Sequence, residues 1–457
     1  MSSQRPPAHG KTAERPRNRL DGKRVGYHVE RVGLPGAVIS ALTGGLIVAC
    51  IAYWFLRLFT PVDTSKPAAQ IDLTRIALTV VAGVGGVVAL VIAYRRQRDL
   101  EQSRFVERFG ASAAQLGATD VAVRIAGVYA MAGVADESDG QRRQQCIDVL
   151  CGYLRLPYIP DLGGNHQTKR TCKRVVGDQG EDEDHFEYRQ NDYEVRATIV
   201  RVIADHLRII TENSWSTSNF DFRTAYLEDA DLSGVVFAGT TRFGRARFGG
   251  STDFRGATFD HDVDFGEATF LDKVRFTAAT FNGATNFART SFLNTAEFRT
   301  DVESAGVTAF NGSVRFDDAH FHGEIDARDV RFGAEVEFGR TVFDADARFK
   351  CAIFEGPTSF AGALFDESAS AWFNPVKFEV AATFEEASFH GGTWFGGTEF
   401  FGAASFSYTE FHGNVSFEGV YFAEQPAFTG ASRPPNAEPG QWPPTSRPSG
   451  ATGNSTA

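Results

Sequence analysis

The sequence is poor in methionine and cysteine, with two of the first and five of the second in 457 residues. Five scattered cysteines do not provide the paired spacing of a disulfide framework, so we expect reduced thiols in a cytoplasmic environment. So small a number of methionines also argues against a core built from the usual mixture of Leu, Ile, Val, Met and Phe. Phenylalanine is abundant instead: the chain contains 41 phenylalanines and 46 glycines. One large residue used so often indicates a packing position that recurs along the chain.

The sequence also lacks the patterns of common catalytic and cofactor sites. The glycines at 83–86 fall inside an apolar run rather than in a phosphate-binding loop. No Ser-His-Asp or Cys-His arrangement can be assembled from the sequence, and His166, Cys172 and His185 do not have the spacing of a zinc site. We therefore predict no catalytic residue, no cofactor and no metal, and an unrecognised enzyme stays open only as a third alternative.

Charge is distributed unevenly along the chain. Residues 1–33 contain eight Lys and Arg against three acidic residues, whereas residues 218–430 contain 16 basic and 32 acidic residues. The basic N-terminus is predicted to be disordered and able to touch anionic lipid headgroups. The acidic body would repel phosphates, so direct binding of nucleic acid is not expected.

Two apolar runs without charge predict membrane-spanning helices. Residues 34–56 and 76–94 contain 23 and 19 residues, and a helix needs ~20 to cross a bilayer core. Basic residues flank the pair on both outer sides, which places both termini and the rest of the chain on the cytoplasmic side of the plasma membrane. A cleaved signal peptide is the alternative for the first run. Small residues four apart in both runs leave a homo-oligomer open.

The segment 95–215 is predicted to be a helical cytoplasmic region. Thr119 or Asp120 can cap a helix whose apolar residues recur at intervals of three and four, the period of one buried face. A second helix is predicted from about Gln141 to just before Pro157, and a third opens at Asp192. The polar residues 158–190 between them are predicted to form a loop.

From Phe222 onward, a large apolar residue recurs first every five residues and then at alternating steps of six and five. Such a period indicates a coil that turns a corner every five or six residues and sends one large side chain inward at each face. Four faces give 22 residues per coil, and stacking at ~4.8 Å gives roughly nine coils. The predicted structural core of the repeat includes Leu227, Leu232, Phe237, Phe248, Phe259, Phe270, Phe281, Phe292, Phe343, Phe354, Phe389, Phe400 and Phe411.

Histidines recur within this repeat. His390 and His412 are 22 residues apart, so one coil would stack them on the same face. A weak metal site that also includes His320 and His322 is the alternative to a purely structural interpretation. The spacing of the phenylalanines that precede His390 and His412 explains their separation without metal, and we therefore predict none.

The pattern Ala-Asp-Leu-Ser-Gly at 230–234 matches a known pentapeptide signature. Residues 218–430 thus resemble the Phe-centred branch of the pentapeptide-repeat proteins, which implies a right-handed quadrilateral β-helix over 216–430. The stretch Arg-Phe-Val-Glu-Arg-Phe at 104–109 and the segment 115–130 resemble actinobacterial membrane-anchored proteins of this type. The expected fold is a membrane α-helical hairpin (34–94), a small α-helical region and this pentapeptide-repeat solenoid. Residues 431–457, rich in Pro, Gly and Ser, are predicted to be disordered.

The resemblance implies no established activity and leaves two non-enzymatic functions. The first is a membrane-anchored scaffold for protein–protein interaction, whose partner would be an unidentified cytoplasmic protein. The second is a DNA mimic that modulates gyrase or another topoisomerase, as some pentapeptide-repeat proteins do. The acidic repeat permits a mimic, but arginines at 242–255 interrupt it, so the scaffold is the expected function.

Overall fold

The computed structural model describes residues 67–160, 169–176, 180–187, 191–208, 213–300 and 306–437, together with Trp442, Pro444 and eight isolated residues between 43 and 58. The predicted basic segment 1–33, most of the apolar run 34–56 and most of the tail beyond 437 lie outside the described residues. The chain divides into two compact units, Met1–Ser103 and Arg104–Ala457.

Helix α1 (Pro67–Leu116) is 50 residues long and begins in the first unit. The second predicted span, 76–94, lies on this helix. Among the residues that the structure describes, no helix is both long enough and apolar enough to cross a bilayer.

The second unit opens with a small helical region. Helices α2 (Val121–Asp136), α3 (Gly140–Leu154) and α4 (Asp192–Arg208) pack around the buried faces that the sequence pattern predicts. The carboxylate of Asp120 caps α2 by accepting a hydrogen bond of 2.7 Å from the backbone N–H of Ala122. Helix α2 begins and α4 opens at the residues expected from the sequence.

The structure differs from the predicted loop 158–190, because two strands form within it. Strands β1 (Lys169–Val176) and β2 (Gly180–Glu187) pair as an antiparallel hairpin. Opposite charges face each other across it, as in the pairs Lys169–Glu187 at 3.1 Å and Lys173–Glu183 at 2.5 Å. Neither strand alternates apolar and polar residues, so the period that reveals a half-buried strand is missing from the sequence.

From Phe220 onward the chain winds into a right-handed β-solenoid of about nine turns. Each turn contributes one short strand to each of four parallel sheets, which we call faces 1 to 4 in chain order, except that the first turn forms only an isolated bridge at Asp231 on face 3. Face 1 consists of Phe220–Asp221, Thr241–Arg242, Val263–Asp264, Thr285–Asn286, Val314–Arg315, Val336–Glu337, Thr358–Ser359, Ala382–Thr383 and Ala404–Ser405. Face 2 consists of Tyr226–Glu228, Arg247–Gly249, Thr269–Phe270, Ser291–Phe292, His320–Phe321, Val342–Phe343, Leu364–Phe365, Ser388–Phe389 and Glu410–Phe411.

The other two faces are built in the same way. Face 3 consists of Thr252–Asp253, Val274–Arg275, Ala296–Glu297, Ile325–Asp326, Ala347–Arg348, Ala371–Trp372, Thr393–Trp394 and Val415–Ser416. Face 4 consists of Val236–Phe237, Thr258–Phe259, Thr280–Phe281, Ala309–Phe310, Arg331–Phe332, Ile353–Phe354, Lys377–Phe378, Glu399–Phe400 and Tyr421–Phe422. Because paired strands keep identical register from coil to coil, each inward phenylalanine lies directly over the one before it.

Two kinds of corner explain the alternation of five and six residues. After faces 1 and 3 the chain turns through a residue of positive φ two places beyond the buried phenylalanine, such as Arg245 (φ 59°). After faces 2 and 4 the corner contains one more residue. There the residue two places beyond the buried phenylalanine is often a glycine whose φ is not positive. At Gly283 a Cβ atom would lie 2.4 Å from the backbone nitrogen of Asp262, so these corners need glycine for close approach between coils.

Both ends of the solenoid are covered. At the first coil, α3 and α4 lie against faces 1 and 2, and the buried Trp215 joins the helical core to the repeat core. At the last coil the Ser432 hydroxyl accepts a 2.6 Å hydrogen bond from the N–H of Phe411. The Trp442 ring packs over Phe428 with centroids 5.1 Å apart. The structure thus differs from the predicted disorder at the start of the tail, because side chains there replace the missing next coil.

Candidate interaction surfaces

The thirteen residues predicted to form the repeat core all point inward, and each is at most 3% exposed. The eleven phenylalanines among them stack in columns of nearly parallel rings, as Phe248 and Phe270 do with centroids 4.4 Å apart. Neighbouring columns meet edge to face, which is a favourable aromatic geometry. These residues supply a core, and within the repeat the side chains that alternate with them on the outside are the ones available for contact.

Outward charges in the first coils form cross-coil pairs. At the corner after face 1, Glu267 accepts hydrogen bonds of 2.8 Å from both Arg245 and Arg289. Farther along the same corner, Arg340 holds Asp318 through two bonds of 2.7 and 3.0 Å. These hydrogen bonds lower the pKa of both carboxyls below their ordinary values. Acidic residues here are neutralised at each step instead of forming an unbroken row.

A shallow groove of about 520 Å³ crosses these first coils. Its charged lining consists of Arg155, Arg223, Arg245, Asp264, Glu267 and Arg289. The arginines are already paired, since Arg155 and Arg223 both bind Asp221. The hydrogen bond from Arg223 lowers the pKa of the Asp221 carboxyl to about 2. The groove therefore holds a satisfied ion-pair network rather than groups poised for proton transfer.

The last coils present a different surface. Residues 351–430 contain a single lysine and no arginine beside ten acidic residues, namely Glu355, Asp366, Glu367, Glu379, Glu385, Glu386, Glu399, Glu410, Glu418 and Glu424. Aromatic side chains stand on the outside of the same coils. Trp372 and Trp394 stack on face 3 with centroids 4.0 Å apart and planes 12° from parallel.

On the neighbouring face 4, Phe401 lies 5.8 Å from Tyr421 and beneath the ammonium group of Lys377 at 5.1 Å. Phe401 is 39% exposed. We call Trp372, Trp394, Phe401 and Tyr421 the aromatic surface. Sequence reasoning missed it, although part of the signal was present: the two tryptophans stand at places where earlier coils of face 3 carry Asp, Arg or Glu.

A buried ionic network in the helical region was also missed. Asp192 binds Arg124 at 2.5 Å and Arg196 at 2.7 Å, and it accepts a hydrogen bond of 2.5 Å from the hydroxyl of Tyr153. Arg124 is fully buried. Burial, followed by the hydrogen bond to Asp192, raises the pKa of Tyr153. One carboxylate thus ties three helices together.

The histidines fall in two separate places. His320 and His322 lie on the outside of face 2 beside Asp344, whereas the stacked rings of His390 and His412 lie farther along the same face. Cys172 and His185 lie on facing strands of the hairpin, and His166 lies outside the described residues. The structure therefore does not bring the four repeat histidines into one cluster.

Comparison with known families finds one match within the solenoid. A family model described as pentapeptide repeats (9 copies) matches residues 222–269, 308–350 and 352–399. The matched segments leave out the stretch 270–307, where the regular spacing of phenylalanine is interrupted between Phe298 and Phe310. Searches of curated proteins and of solved structures each find no match.

Proposed function

Because the solenoid places this chain in the pentapeptide-repeat family, we propose that the protein is a non-enzymatic scaffold that binds another protein through its last coils. The aromatic surface is the observation that carries this proposal. Tryptophan and tyrosine dominate the binding energy of protein interfaces, because they bury large rigid areas at little entropic cost. At the corner after face 1 in the first coils, in contrast, Arg245 and Arg289 are already paired with Glu267.

The charge of the last coils indicates the chemistry of the partner. The coils that carry the aromatic surface contain ten carboxylates and a single lysine. A basic partner would be attracted to this region, and its apolar groups could cover Trp372 and Trp394. We therefore propose a cytoplasmic protein with a basic surface as the partner.

The proposal includes a membrane anchor, which rests on the sequence. Residues 34–56 and 76–94 are free of charge, and basic residues flank them on both outer sides. Such an anchor would hold the solenoid on the cytoplasmic face of the plasma membrane. Alkaline extraction of membranes tests it: the full chain should stay in the pellet, and a variant that lacks 34–94 should be released. Recovery of the full chain in the soluble fraction would reject the anchor.

The scaffold is tested with the full chain in detergent as bait for cytoplasmic proteins. The double variant Trp372→Ala/Trp394→Ala should lose a specific partner, with affinity reduced ~30-fold or more for a loss of ~2 kcal/mol. Leu293→Ala is a matched control, because Leu293 is 44% exposed on face 2, far from the aromatic surface. Equal recovery of partners by the double variant and by the control would contradict the proposal.

The DNA mimic is the second outcome of the same test. A mimic needs acidic residues in regular unbroken rows, and arginines of neighbouring coils pair with those of the first coils. This pairing favours the scaffold. Inhibition of gyrase supercoiling by the full chain, unaffected by the tryptophan double variant, would favour the mimic instead.

A further inference from the structure

Two histidines and a carboxylate converge on the outside of face 2. His320 opens the strand His320–Phe321 and His322 follows it, so the two side chains share the outward side. Asp344 stands 22 residues after His322, at the same place in the next coil. The Nε2 atom of His320 and the Nδ1 atom of His322 each lie 2.8 Å from Oδ2 of Asp344.

We propose that His320, His322 and Asp344 bind one divalent transition-metal ion of the Zn²⁺, Co²⁺ or Ni²⁺ class. One ligand atom from each residue lies within 4.8 Å of the others. Metal–ligand bonds of ~2.0–2.2 Å at tetrahedral angles separate ligand atoms by roughly 3.3 Å, so each histidine nitrogen, now 2.8 Å from the carboxylate oxygen, has to move away from it by about half an ångström. Imidazole nitrogens suit these ions, whereas Mg²⁺ and Ca²⁺ prefer sites made of oxygen.

The backbone holds the three ligands in place before any ion binds. The N–H groups of His320, His322 and Asp344 each donate a hydrogen bond of 2.9 Å to the preceding coil. The phenylalanines beside them in sequence, Phe321 and Phe343, are fully buried and stack 5.3 Å apart. The strands therefore cannot rotate, and only the three outward side chains need to adjust.

Solvent can reach the site. The side chains of His320, His322 and Asp344 are 36%, 38% and 35% exposed, which leaves room for a water molecule to complete the coordination. The ion would link the coil that carries the histidines to the coil that carries the carboxylate. It would therefore stabilise the contact between two successive turns of the solenoid.

The other histidine pair on the same face provides an internal control. The rings of His390 and His412 stack with centroids 4.3 Å apart. Their nitrogens turn to neighbours on their own strands, at 3.1 Å from Ser388 and at 3.1 Å from Glu410. Among the described residues, only the first group brings three ligand atoms together.

The experiment titrates the full chain, purified without a polyhistidine tag, with Co²⁺ and follows the visible absorption of the bound ion. One equivalent should bind. His320→Gln, His322→Gln and Asp344→Asn should each weaken binding ~100-fold or more, since even residues that only support ligands change affinity 10–100-fold. His390→Gln/His412→Gln should bind as the unaltered chain does. Circular dichroism confirms that each variant is folded, which outward substitutions permit.

Three results would overturn the proposal. The first is the absence of saturable binding up to millimolar Co²⁺. The second is binding by the Asp344→Asn and His320→Gln variants with the same affinity as the unaltered chain. The third is a strong thiolate-to-cobalt charge-transfer band, because it would place the ion on cysteine, for example the exposed Cys351.

Discussion

Gln144 and Asn436 form the same contact at opposite ends of the solenoid. The Gln144 carboxamide accepts a hydrogen bond of 2.9 Å from the N–H of Asn219 and donates one of 2.8 Å to its carbonyl. The Asn436 carboxamide does the same for Val415, at 2.9 and 2.8 Å. Each amide side chain thus imitates the peptide group of a coil that is not there, and the edge residue keeps both of its hydrogen bonds.

Replacing Asn436 with alanine should loosen the last coil. The N–H and C=O groups of Val415, a residue that is 7% exposed, would lose their partners, at a cost of ~1–3 kcal/mol. Hydrogen exchange of the Val415 amide should accelerate accordingly. Asn414→Ala is the control, because Asn414 is exposed. Unchanged exchange at Val415 in the Asn436 variant would show that the tail does not cap the solenoid.

Phe281→Ala should destabilise the solenoid strongly. The Phe281 ring is fully buried and lies between Phe259 at 5.0 Å and Phe310 at 4.5 Å in the column behind face 4. Its truncation leaves a cavity that costs ~3–5 kcal/mol. Chemical denaturation followed by circular dichroism measures this cost. Phe401→Ala on the same face should cost well under half as much, because its ring is exposed; equal losses would contradict the inward assignment.

Asp192→Ala should be the most disruptive single change in the helical region. It leaves the buried Arg124 and Arg196 without their shared carboxylate, and removal of one partner of a buried ion pair costs ~3–5 kcal/mol. The free energy of unfolding measures the effect. Asp205→Ala is the matched control, since Asp205 pairs with Arg208 at the surface and such pairs contribute ~0–1 kcal/mol. A similar small loss for both variants would exclude the network as a stabilising element.

The Asp221 carboxyl should make the junction between helices and solenoid sensitive to acid. Its pKa is lowered to about 2, first by the hydrogen bond from Arg223, whereas an unfolded chain has a value of ~3.9. A lowered pKa stabilises the folded state above pH ~4, and this contribution disappears as the pH falls towards 2.

The difference in unfolding free energy between the unaltered chain and Asp221→Asn should therefore be largest above pH 4 and shrink towards pH 2. Denaturant titrations at several pH values measure it. Arg223→Gln removes the principal cause of the lowered pKa but keeps the Asp221 carboxyl. It should therefore reduce the pH dependence of the unfolding free energy. A difference that stays constant from pH 6 to pH 2 would rule out the ion pair as its source.

The solenoid was predictable because its core uses one residue at one period. Every coil repeats the same hydrophobic contact, and the phenylalanines therefore report the inward positions directly, without knowledge of distant contacts. Leucine stands at two of these places in the first coil, Leu227 and Leu232. Ala327 takes a phenylalanine place between Phe298 and Phe349 in the face-3 column. Ile325 stands two places earlier and supplies bulk there. It is the largest of the inward first residues in the strands of face 3.

The surfaces and the caps were not predictable in the same way. The hairpin of residues 169–187 is held by charge pairs that a polar loop would also contain. Arg124 stands in an apolar helix pattern, but its partner Asp192 lies 68 residues away. Trp442 stands in a segment whose composition resembles a disordered tail. Each of these depends on a contact between residues that only the folded chain brings together.

The number of residues between stacked positions shows where the sequence of such a protein can be lengthened or shortened. Successive coils are usually 22 residues apart, but 29 separate Asn282 from Asn311 and 24 separate Asp346 from Ser370, while the strands on either side stay in register. Extra residues are accommodated at a corner and the inner column is unaffected. Segments can thus be lengthened or shortened between faces, so new binding loops can be acquired while the stacked core is inherited intact.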